Sequence, residues 1–278
     1  MSLDPRIEAH YVFSDRYPER REVYDSIDRF SRRARLDLRS RLDIPYGPAS
    51  LEKLDLFFGA EGGPLLVYIH GGYWRSMDKH SFSYVARPLV QLGYTVAVLN
   101  YPLAPQVKLA RIVASIGRAL DWLAGPGAAQ LPGCSTTVLA GHSAGGHLAA
   151  YAAGERRLAG GIAGCVGVSG IFDLEPLMKT SLAARIELTY ADVETLSPIT
   201  RAPFDGWMLL IVGEDETEGF VEAQTWRFAS MRIGAGHATD VLLLSGTNHY
   251  TILSALAGQA PLVREIDARV RRQAPMVR

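Results

Sequence analysis

The sequence predicts an α/β protein with a mostly parallel central sheet covered by helices on both faces. Three observations lead there. Short runs that are apolar throughout, such as Leu65-Leu66-Val67-Tyr68-Ile69 and Thr95-Val96-Ala97-Val98-Leu99, suit strands buried on both sides. Segments of helical length separate these runs, as parallel neighbours require. The third is Gly141-His142-Ser143-Ala144-Gly145, set between the β-branched, apolar run 136–140 and an Ala- and Leu-rich run from Gly146 to Ala153. It reads as a sharp strand-to-helix bend that projects a serine hydroxyl.

In chain order, residues 15–41 hold nine arginines, with Asp15, Glu19, Glu22, Asp25, Asp28 and Asp37 interspersed. That mixture predicts a solvated, ion-paired helix facing inward with Tyr24, Ile27, Ala34 and Leu38, rather than a nucleic-acid-binding arm. Pro45-Tyr46-Gly47-Pro48 is a turn, and Leu51 to Phe58 partly alternates, as an edge strand does. Glu61-Gly62-Gly63-Pro64 breaks the chain before the central strand 65–69. A helix from Ser81 to Leu92, stopped by Gly93, precedes strand 95–99, and a helix from Val107 to Leu123 follows it. After the serine bend come strands at Ile162 to Val168 and Met208 to Val212, then a helix from Phe220 to Met231. Val241 to Leu244 is the last strand and Tyr250 to Arg272 a closing helix. Residues 173–203 break the alternation and are too long for a simple connection, so a small cap over the site is expected. The expected layout is one domain over 1–278, with 1–45 as an N-terminal helical extension.

Composition narrows the function. With 48% hydrophobic and 21% charged residues the chain is ordinary for a globular domain. Its 29 basic and 29 acidic residues cancel, so no global field favours nucleic acid or an anionic membrane. Two cysteines, Cys134 and Cys165, suggest no disulfide framework, and Met1 to Arg6 lack the apolar core of a signal peptide. No apolar run approaches membrane-spanning length. A cytoplasmic setting without a membrane or nucleic-acid partner is therefore expected, and an exposed sheet edge would allow a homo-oligomer.

In a doubly wound sheet, reactive groups gather where strands end. Ser143 is the candidate nucleophile. After Ile69 comes His70-Gly71-Gly72-Tyr73-Trp74, whose glycines let backbone N–H groups face inward. The N–H of Gly72 and of a neighbour, Gly71 or Tyr73, with that of Ala144, would cradle an oxyanion. One such donor typically lowers the barrier by roughly 3 to 4 kcal/mol. After Val212 comes Gly213-Glu214-Asp215-Glu216-Thr217-Glu218. A carboxylate here would hold a histidine's tautomer and orientation; Glu216 is favoured, with Asp215 the alternative. After Leu244 comes Ser245-Gly246-Thr247-Asn248-His249-Tyr250, and His249 is the candidate base. His10 and His80 lie far from strand ends, His237 precedes its strand and His147 points along the helix after the bend; His142 is expected to support the bend, His70 to be structural in the glycine loop, and Asp173 to have a structural or cap-hinge role. No clustering of His, Cys and carboxylates has metal-ligand spacing, and no Gly-x-Gly-x-x-Gly follows a strand, so neither metal nor nucleotide cofactor is expected.

Taken together, His70-Gly71-Gly72-Tyr73-Trp74, Asn100-Tyr101-Pro102-Leu103-Ala104-Pro105 and Gly141-His142-Ser143-Ala144-Gly145-Gly146-His147-Leu148 resemble the α/β-hydrolase esterases of the hormone-sensitive-lipase type. They resemble most the kynurenine formamidase (arylformamidase) branch, from Tyr46 through His249. That resemblance implies an α/β-hydrolase fold and a Ser143, Glu216, His249 triad acting on a small ester or aryl amide. Trp74, Phe172 and Tyr250 would then supply aromatic pocket walls. The chain departs from the branch at Glu218-Gly219-Phe220, where Pro-Glu-Phe is expected, and at Tyr250, where phenylalanine often follows the histidine. A general short-chain carboxylesterase would share all this machinery. A non-enzymatic binding protein on the same scaffold would usually lack a triad member.

Overall fold

Eight strands form one sheet in the computed structural model of the chain, which describes residues 3–13, 15–155, 161–201, 204–257 and 261–273. In chain order they are β1 (Ser40–Pro45), β2 (Lys53–Phe57), β3 (Leu65–Ile69), β4 (Thr95–Leu99), β5 (Thr137–His142), β6 (Ile162–Val168), β7 (Trp207–Gly213) and β8 (Thr239–Leu244). Their spatial order is β1-β2-β4-β3-β5-β6-β7-β8. The pairs β1–β2 and β2–β4 are antiparallel and all the others are parallel.

Among the described residues the helices are α1 (Pro5–Tyr11), α2 (Arg20–Asp37), α3 (Ala86–Gln91), α4 (Leu109–Ala124), α5 (Ala144–Glu155), α6 (Ser181–Ile186), α7 (Tyr190–Leu196), α8 (Arg227–Gly234) and α9 (Pro261–Gln273). Successive strand residues feed opposite layers, which is why the central strands are apolar throughout. Leu65, Val67 and Ile69 of β3 point into a layer with Leu120 of α4 and Leu148 of α5. Leu66 and Tyr68 point into the other, with Phe82, Ile27 of α2 and Ile266 of α9. Helix α5 is nearly all Ala and Gly on its sheet side, which lets its axis come close to β5 and β6.

A buried ion cluster ties the antiparallel margin together. Lys79 Nζ lies 2.8 Å from Asp55 of β2 and 2.7 Å from Asp43 of β1, and Arg35 of α2 reaches Asp55 at 2.5 Å. Lys79 and Asp55 are almost wholly buried, so each depends on the other's charge.

The elements differ from expectation at the margins. Residues 51–58 do not form an edge strand: β2 lies inside, because Ser40–Pro45 adds β1 beyond it. The sequence places that segment in the N-terminal extension, because Ser-Arg-Leu-Asp-Ile-Pro carries the polar residues of a solvent-facing edge. The helix expected from residue 81 begins as a 3-10 turn at Lys79–Val85 and becomes α3. The helix expected over 220–231 is π-helical at Gly219–Trp226 before it turns into α8. The closing helix is a 3-10 turn at Thr251–Leu256 followed by α9; residues 258–260 of that expected helix lie outside the described residues. Residues 175–200 carry two short 3-10 turns with α6 and α7 between them; 202 and 203, at the end of the expected cap, lie outside the described residues.

Candidate active site

The end of β5 is forced into a cramped bend. Ser143 adopts φ 55°, the left-handed region a serine enters only under constraint, and α5 begins at the next residue. A Cβ at Gly145 would sit 2.0 Å from the Ile69 carbonyl oxygen, so only glycine lets the helix start this close to β3. Helix α5 thus aims its first, unpaired N–H groups and positive dipole end at the space beside Ser143.

The loop after β3 lies against the same bend. A Cβ at Gly71 would meet the His142 carbonyl oxygen at 2.8 Å and Ser143 Cβ at 3.3 Å, so a bare backbone is what allows contact. The Asn100-Tyr101 motif fixes this loop from beneath. The Tyr101 hydroxyl donates to the His70 carbonyl at 2.8 Å, and Asn100 Oδ1 lies 3.0 Å from His70 Nε2. The His70 ring is sandwiched between Phe82 and Tyr101, stacked at 5.7 and 4.3 Å. Burial pushes its imidazole below the ordinary histidine value, in keeping with a supporting role.

The acid and the histidine meet across the ends of β7 and β8. His249 Nδ1 lies 2.8 Å from Glu216 Oε2. The other carboxylate oxygen, Oε1, accepts from Ser169 Oγ at 2.5 Å and from the Gly213 N–H at 2.9 Å. Three donors therefore hold a buried carboxylate in one orientation. Asp215, the alternative acid, has an exposed side chain; its carbonyl accepts from the Tyr17 hydroxyl at 2.9 Å. The His249 loop is set by Asn248, whose Oδ1 accepts from the N–H groups of Tyr250 and Thr251 and whose Nδ2 donates to Glu19.

His142 does more than support the bend. Its Nε2 lies 2.9 Å from the His249 carbonyl oxygen, so that nitrogen carries the hydrogen, and the two rings pack at 4.7 Å. Burial, with the neighbouring His249 adding to it, holds His142 well below the ordinary histidine range. It is thus a neutral strut under His249.

Ser143, His142 and His249 line one cavity of about 40 Å3, together with Gly71, Gly72, Tyr73 and Tyr250. It shares Tyr24, Gly72, Tyr73 and Tyr250 with an outer cavity of about 180 Å3. A larger cavity of about 240 Å3, lined by Leu65, Leu123, Cys134 and Thr137, lies at the opposite, amino ends of the strands and contains none of these groups.

Two expected pocket walls are corrected. Trp74 is fully buried; its Nε1 donates to His147 Nδ1 at 3.2 Å, and His147 Nε2 meets the Leu196 carbonyl at 2.9 Å. Phe172 is equally buried and stacks on Phe228 at 4.5 Å. Large apolar rings gain most by full burial, and both positions offer it. Asp173 pairs with Arg227 and caps the Glu175 N–H at 2.9 Å, away from His249.

Sequence reading missed the cover over the histidine. Phe13 packs edge-on against His249 at 5.3 Å and against Phe220 at 5.6 Å, and Tyr17 and Tyr24 pack against Tyr250. The segment is pinned to the site by Tyr73, whose hydroxyl donates to the Tyr11 carbonyl at 2.5 Å, and by Thr217, whose hydroxyl donates to that of His10 at 2.8 Å. The signal was there as Tyr11, Phe13, Tyr17 and Tyr24, an aromatic density unusual for a solvated arm. No group of three or more His, Cys, Asp or Glu side chains among the described residues is placed to hold a metal ion. None of their helices is long and apolar enough to cross a membrane.

The chain is similar to known hydrolases. The BD-FAE family model matches residues 54–170, which span β2 to the turn after β6 and include Ser143. The kynurenine formamidase of Danio rerio is 28% identical over 249 residues, covering 84% of this chain and 83% of that protein. A crystal structure from Silicibacter sp. TM1040, described as a candidate thioesterase, is 28% identical with a TM-score of 0.76, over 94% of this chain and 96% of that one. An esterase from Pyrobaculum calidifontis has the same fold at 20% identity, with a TM-score of 0.73 over 98% of this chain and 99% of that one. The chain has the α/β-hydrolase fold and is a hydrolytic enzyme, similar to the kynurenine formamidases over most of its length.

Proposed function

We propose that the chain deformylates a small aryl formamide, N-formylkynurenine in the first instance, through an acyl-enzyme on Ser143. The observation that carries this reading is the strained Ser143 in a cavity shared with His249, itself held by Glu216 at 2.8 Å. His249 Nε2 takes the Ser143 proton while Oγ attacks the formyl carbon. The carbonyl oxygen becomes an oxyanion, which the N–H groups of Gly72, Tyr73 and Ala144 stabilise. Glu216 balances the imidazolium charge. His249 then hands the proton to the aniline nitrogen, the amine leaves, and a water deprotonated by His249 releases formate.

The size of the cavity beside Ser143 favours a small acyl group. A single water centre occupies about 10–15 Å3, so its 40 Å3 takes about three water-sized atoms, enough for formyl or acetyl and too few for butyryl. A short-chain carboxylesterase would use the same groups, and acyl length separates the two readings. Formyl, acetyl and butyryl derivatives of one aryl amine and of p-nitrophenol should rank in that order in kcat/KM, with formate released from N-formylkynurenine. Butyrate esters turning over faster than formyl anilides would reverse the assignment in favour of the esterase.

A further inference from the structure

Three loops carry the groups around Ser143: residues 70–74 with the oxyanion N–H donors, 214–218 with Glu216, and 245–250 with His249. The last two are joined directly, since the Asp215 N–H donates to the Thr247 carbonyl at 2.9 Å. The first leaves β3, which stands three places from β7 in the sheet. One short stretch of chain touches all three loops. On either side of Glu216, the Tyr17 hydroxyl donates to the Asp215 carbonyl at 2.9 Å and the Thr217 hydroxyl to the His10 carbonyl at 2.8 Å. At the histidine loop, Glu19 accepts from Asn248 Nδ2 and the Phe13 ring lies 5.3 Å from that of His249. At the oxyanion loop, the Tyr11 carbonyl accepts from the Tyr73 hydroxyl at 2.5 Å. The stretch is itself well seated. Tyr11, Phe13 and Tyr17 are buried, and the Tyr11 hydroxyl donates to the Gly219 carbonyl at 3.2 Å and accepts from Gln224 Nε2 at 3.1 Å.

The oxyanion loop needs such an anchor. Gly72, Tyr73 and Trp74 follow one another at φ 105°, 49° and 58°. Two successive non-glycine residues in the left-handed region persist only where their surroundings fix them. Trp74 is fixed from the core, where its Nε1 donates to His147 and its carbonyl accepts from the Ala104 N–H at 2.8 Å. Tyr73 is fixed from the opposite side, through its hydroxyl. Its ring is a rigid span, with a backbone N–H facing the site at one end and the Tyr11 carbonyl at the other. A preorganised donor stabilises an oxyanion only if it is already in place when the charge forms.

We infer that residues 10–13 and 17–19 form a clasp that sets the oxyanion loop against the Glu216–His249 pair, with Tyr73 as the positioning residue through which it holds the oxyanion donor. The inference rests on the reading of Ser143 as the nucleophile and of the Tyr73 N–H as an oxyanion donor. It adds that the Tyr73 side chain contributes to the transition state without touching substrate chemistry. It adds too that the oxyanion and acid loops are coupled through the segment that both of them grip.

The test measures hydrolysis of p-nitrophenyl acetate and inhibition by phenethylboronic acid. With the boronate a bond forms between Ser143 Oγ and boron, the hydroxyl proton passes to His249 and no group leaves. The tetrahedral adduct places a boron-bound oxygen among the oxyanion donors. Tyr73→Phe removes the hydroxyl alone. It should lower kcat about ten- to a hundredfold, less than the loss of a whole donor, with KM within about threefold of wild type. The boronate inhibition constant should rise by the same factor as kcat/KM falls, because both report stabilisation of the tetrahedral state. Tyr17→Phe, at the acid loop, should lower kcat at least about threefold. In the double variant the loss should be smaller than the product of the two single losses, since a clasp freed at one end has less left to transmit. Tyr94→Phe removes a hydroxyl bonded to Asp267 at the amino end of β4 and should leave all three constants within about twofold. Inhibition constants do not depend on the active fraction, so a poorly folding variant still reports. Unchanged kcat in Tyr73→Phe, a loss confined to KM, an inhibition constant that does not move, or single losses that multiply overturns the clasp alone. A wild-type enzyme that neither hydrolyses the ester nor binds the boronate overturns the reading of Ser143 and the clasp with it.

Discussion

Replacing Glu216 by glutamine is a sharp test of how the site is wired, because the structure dictates which way the new amide must turn. Oε1 of Glu216 accepts from two donors, Ser169 Oγ and the Gly213 N–H, whereas Oε2 faces only His249 Nδ1. A glutamine has one carbonyl oxygen, and placing its NH2 toward Ser169 and Gly213 would set it against the Gly213 N–H, an obligate donor in a buried site. The carbonyl therefore turns to Ser169 and Gly213, and the NH2 faces His249. Nδ1 must then accept, which moves the imidazole proton to Nε2, where a base has to be empty. Loss of the correct tautomer in a serine triad costs about 10^3 to 10^4 in kcat, or about 4 to 5.5 kcal/mol at 1.36 kcal/mol per decade. Steady-state hydrolysis of p-nitrophenyl acetate measures it. Asp215→Asn, at an exposed side chain, should stay within about threefold of wild type. A Glu216→Gln enzyme keeping more than about a tenth of its activity, or an equal loss in Asp215→Asn, would refute the assignment of the acid.

Two stability predictions follow from buried charge. Burial holds His147 down at about 4, below the unfolded value near 6.5, so the unfolded chain takes up the proton first. The resulting stability is complete above pH 6.5 and falls by about 1.4 kcal/mol per unit between there and pH 4. His70 and His142, also depressed, add in the same direction. Urea unfolding at pH 7.5 and 5.5 should show the loss, and a His147→Asn protein with an undiminished pH slope would contradict it. Asp55→Ala, which leaves the buried Lys79 with the half-exposed Asp43 and the His80 ring as partners, should cost about 3 to 5 kcal/mol in the same assay. A change under about 1 kcal/mol would mean that Lys79 finds water or another partner.

How much of this was legible in the sequence depended on how local the cause was. Strands β3, β4, β6 and β7 could be read because burial on both faces leaves them almost wholly apolar and free of charged residues. The bend at Ser143 could be read because its strand, glycines and helix lie in one short stretch, even though Gly145 answers a contact with the distant Ile69. Strand β1 could not, since an edge strand with Arg41 and Asp43 looks like loop until its partner β2 is known. Trp74 and Phe172 were misjudged because an aromatic side chain beside a catalytic loop has the same sequence signature whether it faces the pocket or the core. Glu216 against Asp215 turns on which of two neighbours points inward, and composition is blind to that. The cover of Phe13, Tyr17 and Tyr24 over His249 joins residues more than 220 apart, a contact that only the fold creates.

The central claim, that the Ser143 hydroxyl is activated by His249 for attack on a carbonyl, is most directly tested by labelling with a fluorophosphonate followed by peptide mass mapping. The account predicts one adduct per chain, on Ser143, formed rapidly in the wild type, far more slowly in His249→Ala and not at all in Ser143→Ala. An adduct on another residue, or Ser143→Ala protein that still hydrolyses p-nitrophenyl acetate at the wild-type rate, would contradict it.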